Sequence, residues 1–246
     1  RHNVEVTQPE VHDQIKRAAE YARAHGMQVV MDLDVRLARQ AFMQQHPGEM
    51  QEIVRLREVA LQSEGEASLK IPAMTLADHY TPTGRGVRAY ETISARMLRA
   101  YSYVAGAGGI EPDTVQDITS RCQATQADTK GMQVSIRGEA TDRGRTACVL
   151  AAFTLFTPDV FAPHLVGFER RVLEQYADAP LAGACKDEWG FPGRFGPRLD
   201  DFYFSTAMAR EYQRRRRGRD LTRDLLLMFK PHAGMEAARV AADTSS

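Results

Sequence analysis

The sequence predicts an α/β chain, a fragment of a (β/α) TIM-type barrel with an antiparallel β-rich module inserted into it, and three observations carry that prediction. Strand-like apolar runs alternate with amphipathic helical runs near both ends of the chain, as in parallel sheets with crossover helices. Between them the helical periodicity gives way to short β-like runs separated by turn residues. One run, Leu181-Ala-Gly-Ala-Cys-Lys-Asp-Glu-Trp-Gly-Phe-Pro-Gly193, reads as a small buried strand that stops in two carboxylates and two aromatics. Ligands of α/β folds bind beyond such carboxyl ends of strands.

Taken in order, Asn3–Thr7 reads as a strand already under way. Val11, Ile15, Ala18, Ala19 and Ala22 then fall on one face of a helix that ends at His25-Gly26, with His in the last turn and Gly as the cap. Met27–Leu33 reads as a buried strand whose end carries Asp32 and Asp34, and Val35–Gln45 as a helix. From Ile53 to Phe156 the runs Leu69–Met74, Thr114–Thr119, Met132–Arg137 and Thr146–Phe153 are strand-length, punctuated by Gly84-Arg-Gly86, Gly106–Gly109 and Asp142-Arg-Gly144. Alternation resumes at Thr157. Pro158-Asp159 signals a helix start, and Phe161, Leu165, Phe168, Val172 and Tyr176 recur at helical spacing. A strand over 181–187 follows, then a second helix from Asp200-Asp201 through Met208 and Tyr212 to a capping Gly218. The expected organisation is barrel over 1–52, β-rich insertion over 53–156 and barrel again over 157–246. Its parallel strands (3–7, 27–34 and 181–187) fall short of the eight that close a barrel. With no initiator Met before that first strand, the expectation is a piece of a longer protein whose remainder completes the barrel.

A chain of 246 residues that is 43% hydrophobic can bury a sizeable core, which excludes a disordered protein. Equal counts of basic and acidic residues, 32 each, give no overall field toward nucleic acid or anionic membrane. No apolar run approaches the roughly 20 residues of a membrane helix. Cys122, Cys148 and Cys185 are odd in number and widely spaced, so they point to neither a disulfide framework nor a zinc site, and the seven histidines show no metal-ligand spacing. No cofactor and no metal are therefore expected.

Three segments resemble the α-L-rhamnosidase-like glycoside hydrolases. Gly26-Met-Gln-Val-Val-Met-Asp-Leu-Asp34 stands where that family has a strand ending in acidic residues, followed by a helix and a His-Pro-Glu-like segment, here His46-Pro-Gly-Glu49. Pro158–Glu188 resembles its helix leading into a strand that ends Asp-Glu-Pro, with Trp189 in place of the proline. Leu199-Asp-Asp-Phe202 through Glu211-Tyr-Gln-Arg-Arg-Arg-Arg-Gly-Arg-Asp-Leu221 resembles its following helix. The resemblance covers the two outer thirds of the chain. It implies a carbohydrate substrate, cleavage of glycosidic bonds in oligo- or polysaccharides, and Glu188 as the catalytic acid. An inactive carbohydrate-binding or scaffolding relative is the alternative.

The residues themselves support part of this. A strand-end Glu188 beside Trp189 and Phe191 would be partly desolvated, which raises a carboxyl toward the range of a general acid. Strand alternation also puts Lys186 on the same face, where it would lower Glu188 or simply pair with it. Asp187 points to the opposite face, suited to supporting bound sugar. Trp189, the only tryptophan, suits a pyranose-stacking platform or the core. Asp32 and Asp34 are candidates for binding sugar hydroxyls or for helix capping. Arg214–Arg217 reads as a solvated helix end with Glu211, Asp220 and Asp224 as partners, rather than a nucleic-acid patch. Gly106–Gly109 lacks the Lys-Ser/Thr of a phosphate loop and reads as a hairpin linker.

Overall fold

The computed structural model describes residues 4–33, 35–73, 91–185, 201–230, 232 and 234, without the side chains of residues 36, 201 and 229. In it the chain divides into two compact units, whose described residues fall within 1–51 and 156–193 for the first, and 52–86, 90–155 and 194–246 for the second.

The first unit begins with α1 (Pro9–Ala24), started by Pro9 in its first turn. The helix ends where Gly26 takes φ +71°, a conformation that glycine adopts without the Cβ penalty. Strand β1 is short, Val30–Asp32, and is followed by a 3-10 turn at Val35–Ala38 and by α2 (Arg39–Gln45). After the excursion into the second unit come α3 (Leu165–Gln175) and β10 (Gly183–Cys185). Strands β1 and β10 pair in parallel, Val30 with Gly183, Met31 with Ala184 and Asp32 with Cys185.

The second unit is built of antiparallel strands: β2 (Met50–Ala60), β3 (Glu66–Pro72), β4 (Thr92–Gly106), β5 (Gly109–Ile110), β6 (Gln116–Asp117), β7 (Cys122–Asp128), β8 (Gly131–Arg137), β9 (Arg145–Pro158) and β11 (Asp201–Phe204). Their order is β11-β2-β9-β4-β5 in one sheet, with β6 also on β4, and β3-β8-β7 in another. Two helices complete it, α4 (Thr206–Arg215) and α5 (Leu221–Phe229).

Strand β9 explains the layering. Thr146-Ala-Cys-Val-Leu-Ala-Ala-Phe is apolar without alternation because both faces are buried. Cys148, Leu150 and Ala152 pack with Val54, Leu56, Phe202, Phe204, Leu225 and Leu226. The intervening Ala147, Val149, Ala151 and Phe153 pack with Ile71, Met132, Val134 and Ile136 of the three-stranded sheet. Helices thus cover one face of the larger sheet and the smaller sheet covers the other. On β4, Met97 faces Ala151 and Arg99 faces Leu150, so Leu98 is an extra residue. This bulge inverts the strand's parity, so Met97 before it and Ala100 after it reach the same core.

These findings correct the expected fold class. No (β/α) TIM-type arrangement is present among the described residues, where antiparallel pairing dominates and β1 with β10 is the sole parallel pair. The expected first strand is absent over residues 4–7. Val6 is buried there with its N–H bonded to the Leu37 carbonyl and its own carbonyl accepting from the Tyr176 hydroxyl, so no strand edge is offered. Asp201 opens a strand, not a helix, because Phe202 and Phe204 bury one face against β2. The C-terminal helices therefore cover the antiparallel sheet instead of extending a parallel one. The helix expected from Pro158 starts at Leu165. Asp159 holds a turn first, its carboxylate accepting the Phe161 N–H and its carbonyl the Ala162 N–H. Among the described residues no helix is long and apolar enough to cross a membrane.

Candidate functional site

The first candidate is the carboxyl end of the β1/β10 pair. The apolar run before Asp32 makes only three residues of strand, extended by a bond from the Ala182 N–H to the Val29 carbonyl at 2.8 Å. Asp32 is half-buried at the end of β1, beside the exposed Cys185 that ends β10. Of the residues singled out from the sequence, Asp34, Asp187, Glu188 and Trp189 lie outside the described residues, as does Lys186. Asp32 alone can be located, and in sequence Glu188 stands three residues after the end of β10.

The second candidate lies where α2 ends and α3 begins. Phe42, fully buried, meets Phe168 edge-on at 5.2 Å and so holds the two helices together. Pro47 follows His46 and bars it from helical geometry, which stops α2 there with φ −137° and ψ 63°. Glu49 is fixed through its backbone: its N–H donates to the His46 carbonyl at 3.0 Å and its carbonyl accepts from Asp159 at 2.9 Å. The turn at Asp159 delivers His164 to the N-terminus of α3. There the His164 backbone N–H donates to Glu49 Oε2 at 3.2 Å, and its ring Nδ1 lies 2.5 Å from Glu49 Oε1. The His46 and His164 rings stack at 4.4 Å, 4° from parallel. One ligand-capable atom from each of His46, Glu49 and His164 lies within 4.8 Å of the other two. Two imidazoles and a carboxylate at that separation are a donor set for a transition metal.

Sequence spacing had no means of finding this cluster, since 115 residues separate Glu49 from His164. Its only trace was the His46-Pro-Gly-Glu49 segment, where a helix-stopping Pro-Gly leaves two ligand-type side chains close together.

The arginine run resolves as ion pairs. Glu211 accepts from Arg214 at 2.6 and 2.8 Å and from Arg215 at 2.6 Å, and these bonds hold its carboxyl down at about 2. Arg217 takes φ +52° and the Gly218 N–H reaches the Gln213 carbonyl at 2.8 Å, closing α4 in a Schellman turn. Asp220 then caps α5 through the Thr222 N–H at 2.8 Å. Elsewhere in the first unit, hydrogen bonds from Lys16 and His12 hold Asp178 below the usual carboxylate range and join α1 to the turn after α3. Compared with family models, curated proteins and solved structures, the chain matches none.

Proposed function

We propose that this chain belongs to a carbohydrate-active enzyme that cleaves glycosidic bonds, with Glu188 as the acid that protonates the leaving oxygen. The observation that supports this is the parallel pairing of β1 with β10, Asp32 beside Cys185. Neighbouring parallel strands end on the same side, and ligands of α/β folds bind outside those ends. One end carries Asp32; the sequence after the other runs Lys-Asp-Glu-Trp. A short acidic and aromatic segment there has the parts that glycoside cleavage uses: a proton donor, carboxylates for sugar hydroxyls and an aromatic platform. The resemblance of these same segments to α-L-rhamnosidase-like hydrolases names the substrate class. In this reading Asp32, Asp34, Asp187 and Trp189 bind sugar, and the second carboxylate of the reaction is not among the residues named here.

The test is turnover by the full-length protein on a panel of aryl glycosides and oligosaccharides, with Asp32→Asn beside the wild type. Hydrolysis is expected, with Asp32→Asn raising KM more than it lowers kcat, as for a residue that binds ground state and transition state alike. Sugar binding without any turnover would favour the catalytically silent carbohydrate-binding relative. Neither binding nor turnover would refute the carbohydrate reading.

A further inference from the structure

We propose that His46, Glu49 and His164 bind one divalent transition-metal ion of the zinc class, in a site that clamps the end of α2 to the start of α3. The proposal is independent of the glycoside-cleavage reading, because these residues lie off the strand ends on which that reading rests.

The donor chemistry comes first. Two imidazoles and one carboxylate suit zinc, cobalt or nickel, whereas magnesium and calcium demand all-oxygen cages. Three protein ligands leave a fourth tetrahedral position for water.

Preorganisation comes second. His46 is set by the proline after it and by its N–H bond to the Phe42 carbonyl at 2.8 Å, and its ring rests 5.2 Å from that of Phe42. Glu49 is tied at both backbone groups, and its side chain is 19% exposed. Two of the three ligands are therefore held before any ion arrives.

The third consideration is an unmet demand. His46 Nε2 is buried and has no hydrogen-bond partner among the described residues, an arrangement that native proteins resolve with a ligand or water. A metal ion would satisfy that nitrogen.

Geometry sets the motion required. A metal lies in the plane of each imidazole it binds, and two rings stacked 4° from parallel do not share a plane. Capture must therefore turn one ring. The His164 side chain, 61% exposed, is free to turn, while His46 is packed on Phe42. Turning it exchanges the Glu49 hydrogen bond to Nδ1 for a shared bond to the ion. Binding also requires both imidazoles to be neutral at the ligating nitrogen, so affinity should weaken as pH falls through the histidine range.

The experiment is calorimetric titration of chelator-treated protein with zinc chloride, paralleled by cobalt(II) absorption spectra. Wild type is expected to bind one zinc per chain at micromolar or tighter affinity, to give the visible cobalt bands of tetrahedral nitrogen and oxygen ligation, and to melt at higher temperature with zinc. His164→Ala removes an exposed side chain and should leave the fold intact. It is expected to weaken zinc at least about 100-fold, beyond the usual effect of losing a supporting residue, and to abolish the rise in melting temperature. Glu49→Gln should act in the same direction. If His164→Ala fails to fold, His164→Gln carries the same test. Wild-type binding weaker than about 1 mM, or binding that both His164→Ala and Glu49→Gln leave unchanged, would overturn the proposal.

Discussion

Arg121 and Asp142 form the best-defined buried ion pair of the second unit, and the cost of breaking it can be worked from its contacts. Arg121 donates to both carboxylate oxygens, at 2.7 and 3.0 Å, and Asp142 Oδ2 also accepts the Glu139 N–H at 2.8 Å. The side chains are 10% and 3% exposed. In Asp142→Ala the guanidinium stays buried with only the half-exposed Glu139 at 3.2 Å, and the Glu139 N–H loses its acceptor. Breaking a buried pair costs about 3–5 kcal/mol, and the surviving Glu139 contact places this case near 3. In urea, with a slope of about 2 kcal/mol per molar, the unfolding midpoint should fall by about 1.5 M.

The pH dependence gives a second, sharper reading. Burial alone would raise the Asp142 carboxyl, but the Arg121 hydrogen bonds, the Glu139 N–H and the Arg121 and Arg145 charges outweigh it and hold it below its ordinary value. The unfolded state then binds the proton more readily. The carboxylate's contribution is whole above the unfolded value of about 3.9 and is lost as pH falls through the lower folded value. Asp142→Asn keeps the shape without the charge, so its stability gap to wild type should narrow as pH drops below about 4. A gap under about 0.5 kcal/mol at neutral pH, or one that does not change in acid, would refute the reasoning.

Two further outcomes follow from the same unit. A Cβ on Gly138 would stand 2.4 Å from the Gln62 carbonyl oxygen, a backbone atom that cannot swing aside, so Gly138→Ala should cost about 1–3 kcal/mol in a denaturation midpoint. Burial pushes the half-buried Cys122 thiol up to about 11 against the opposing pull of Arg121, and Cys148 is fully buried. Iodoacetamide at neutral pH should therefore alkylate the exposed Cys185 first and Cys148 only on unfolding, as read by peptide mass spectrometry.

What could be read from the sequence was local. The apolar stripe of α1 with Gly26 after it, the Gly106–Gly109 hairpin and the arginine-rich end of α4 each follow from chemistry within a few residues. Partnership was not legible. Strand β10 is three residues long and pairs in parallel, yet β11, 16 positions further on, pairs antiparallel on another sheet. Nothing in Asp201-Phe-Tyr-Phe204 says that its aromatic face will choose β2 over β1, because that choice is made by Val54, Leu56 and Leu226 far away in sequence. A two-carboxylate start such as Asp200-Asp201 resembles a helix N-terminus until the packing is known. The Leu98 bulge and the His46–His164 stack are likewise consequences of tertiary pairing, with no periodicity to announce them. Of the strand-end residues, Asp32 has a defined setting, half-buried at the end of a parallel pair, and it is the anchor for the functional proposal.

The most direct test of that proposal is the leaving-group dependence of Glu188→Gln in the full-length protein. The ratio of wild-type to variant kcat/KM would be measured on aryl and alkyl glycosides of increasing leaving-group pKa, with circular dichroism confirming that the variant is folded. A general acid is worth about 10²–10⁴-fold where the departing oxygen needs its proton and little where it does not. The ratio should therefore lie near one for dinitrophenyl glycosides and climb to about 10²–10⁴ for alkyl ones. A folded variant that keeps wild-type rates on the poorest leaving group would contradict the account and leave Glu188 as the ion-pair partner of Lys186.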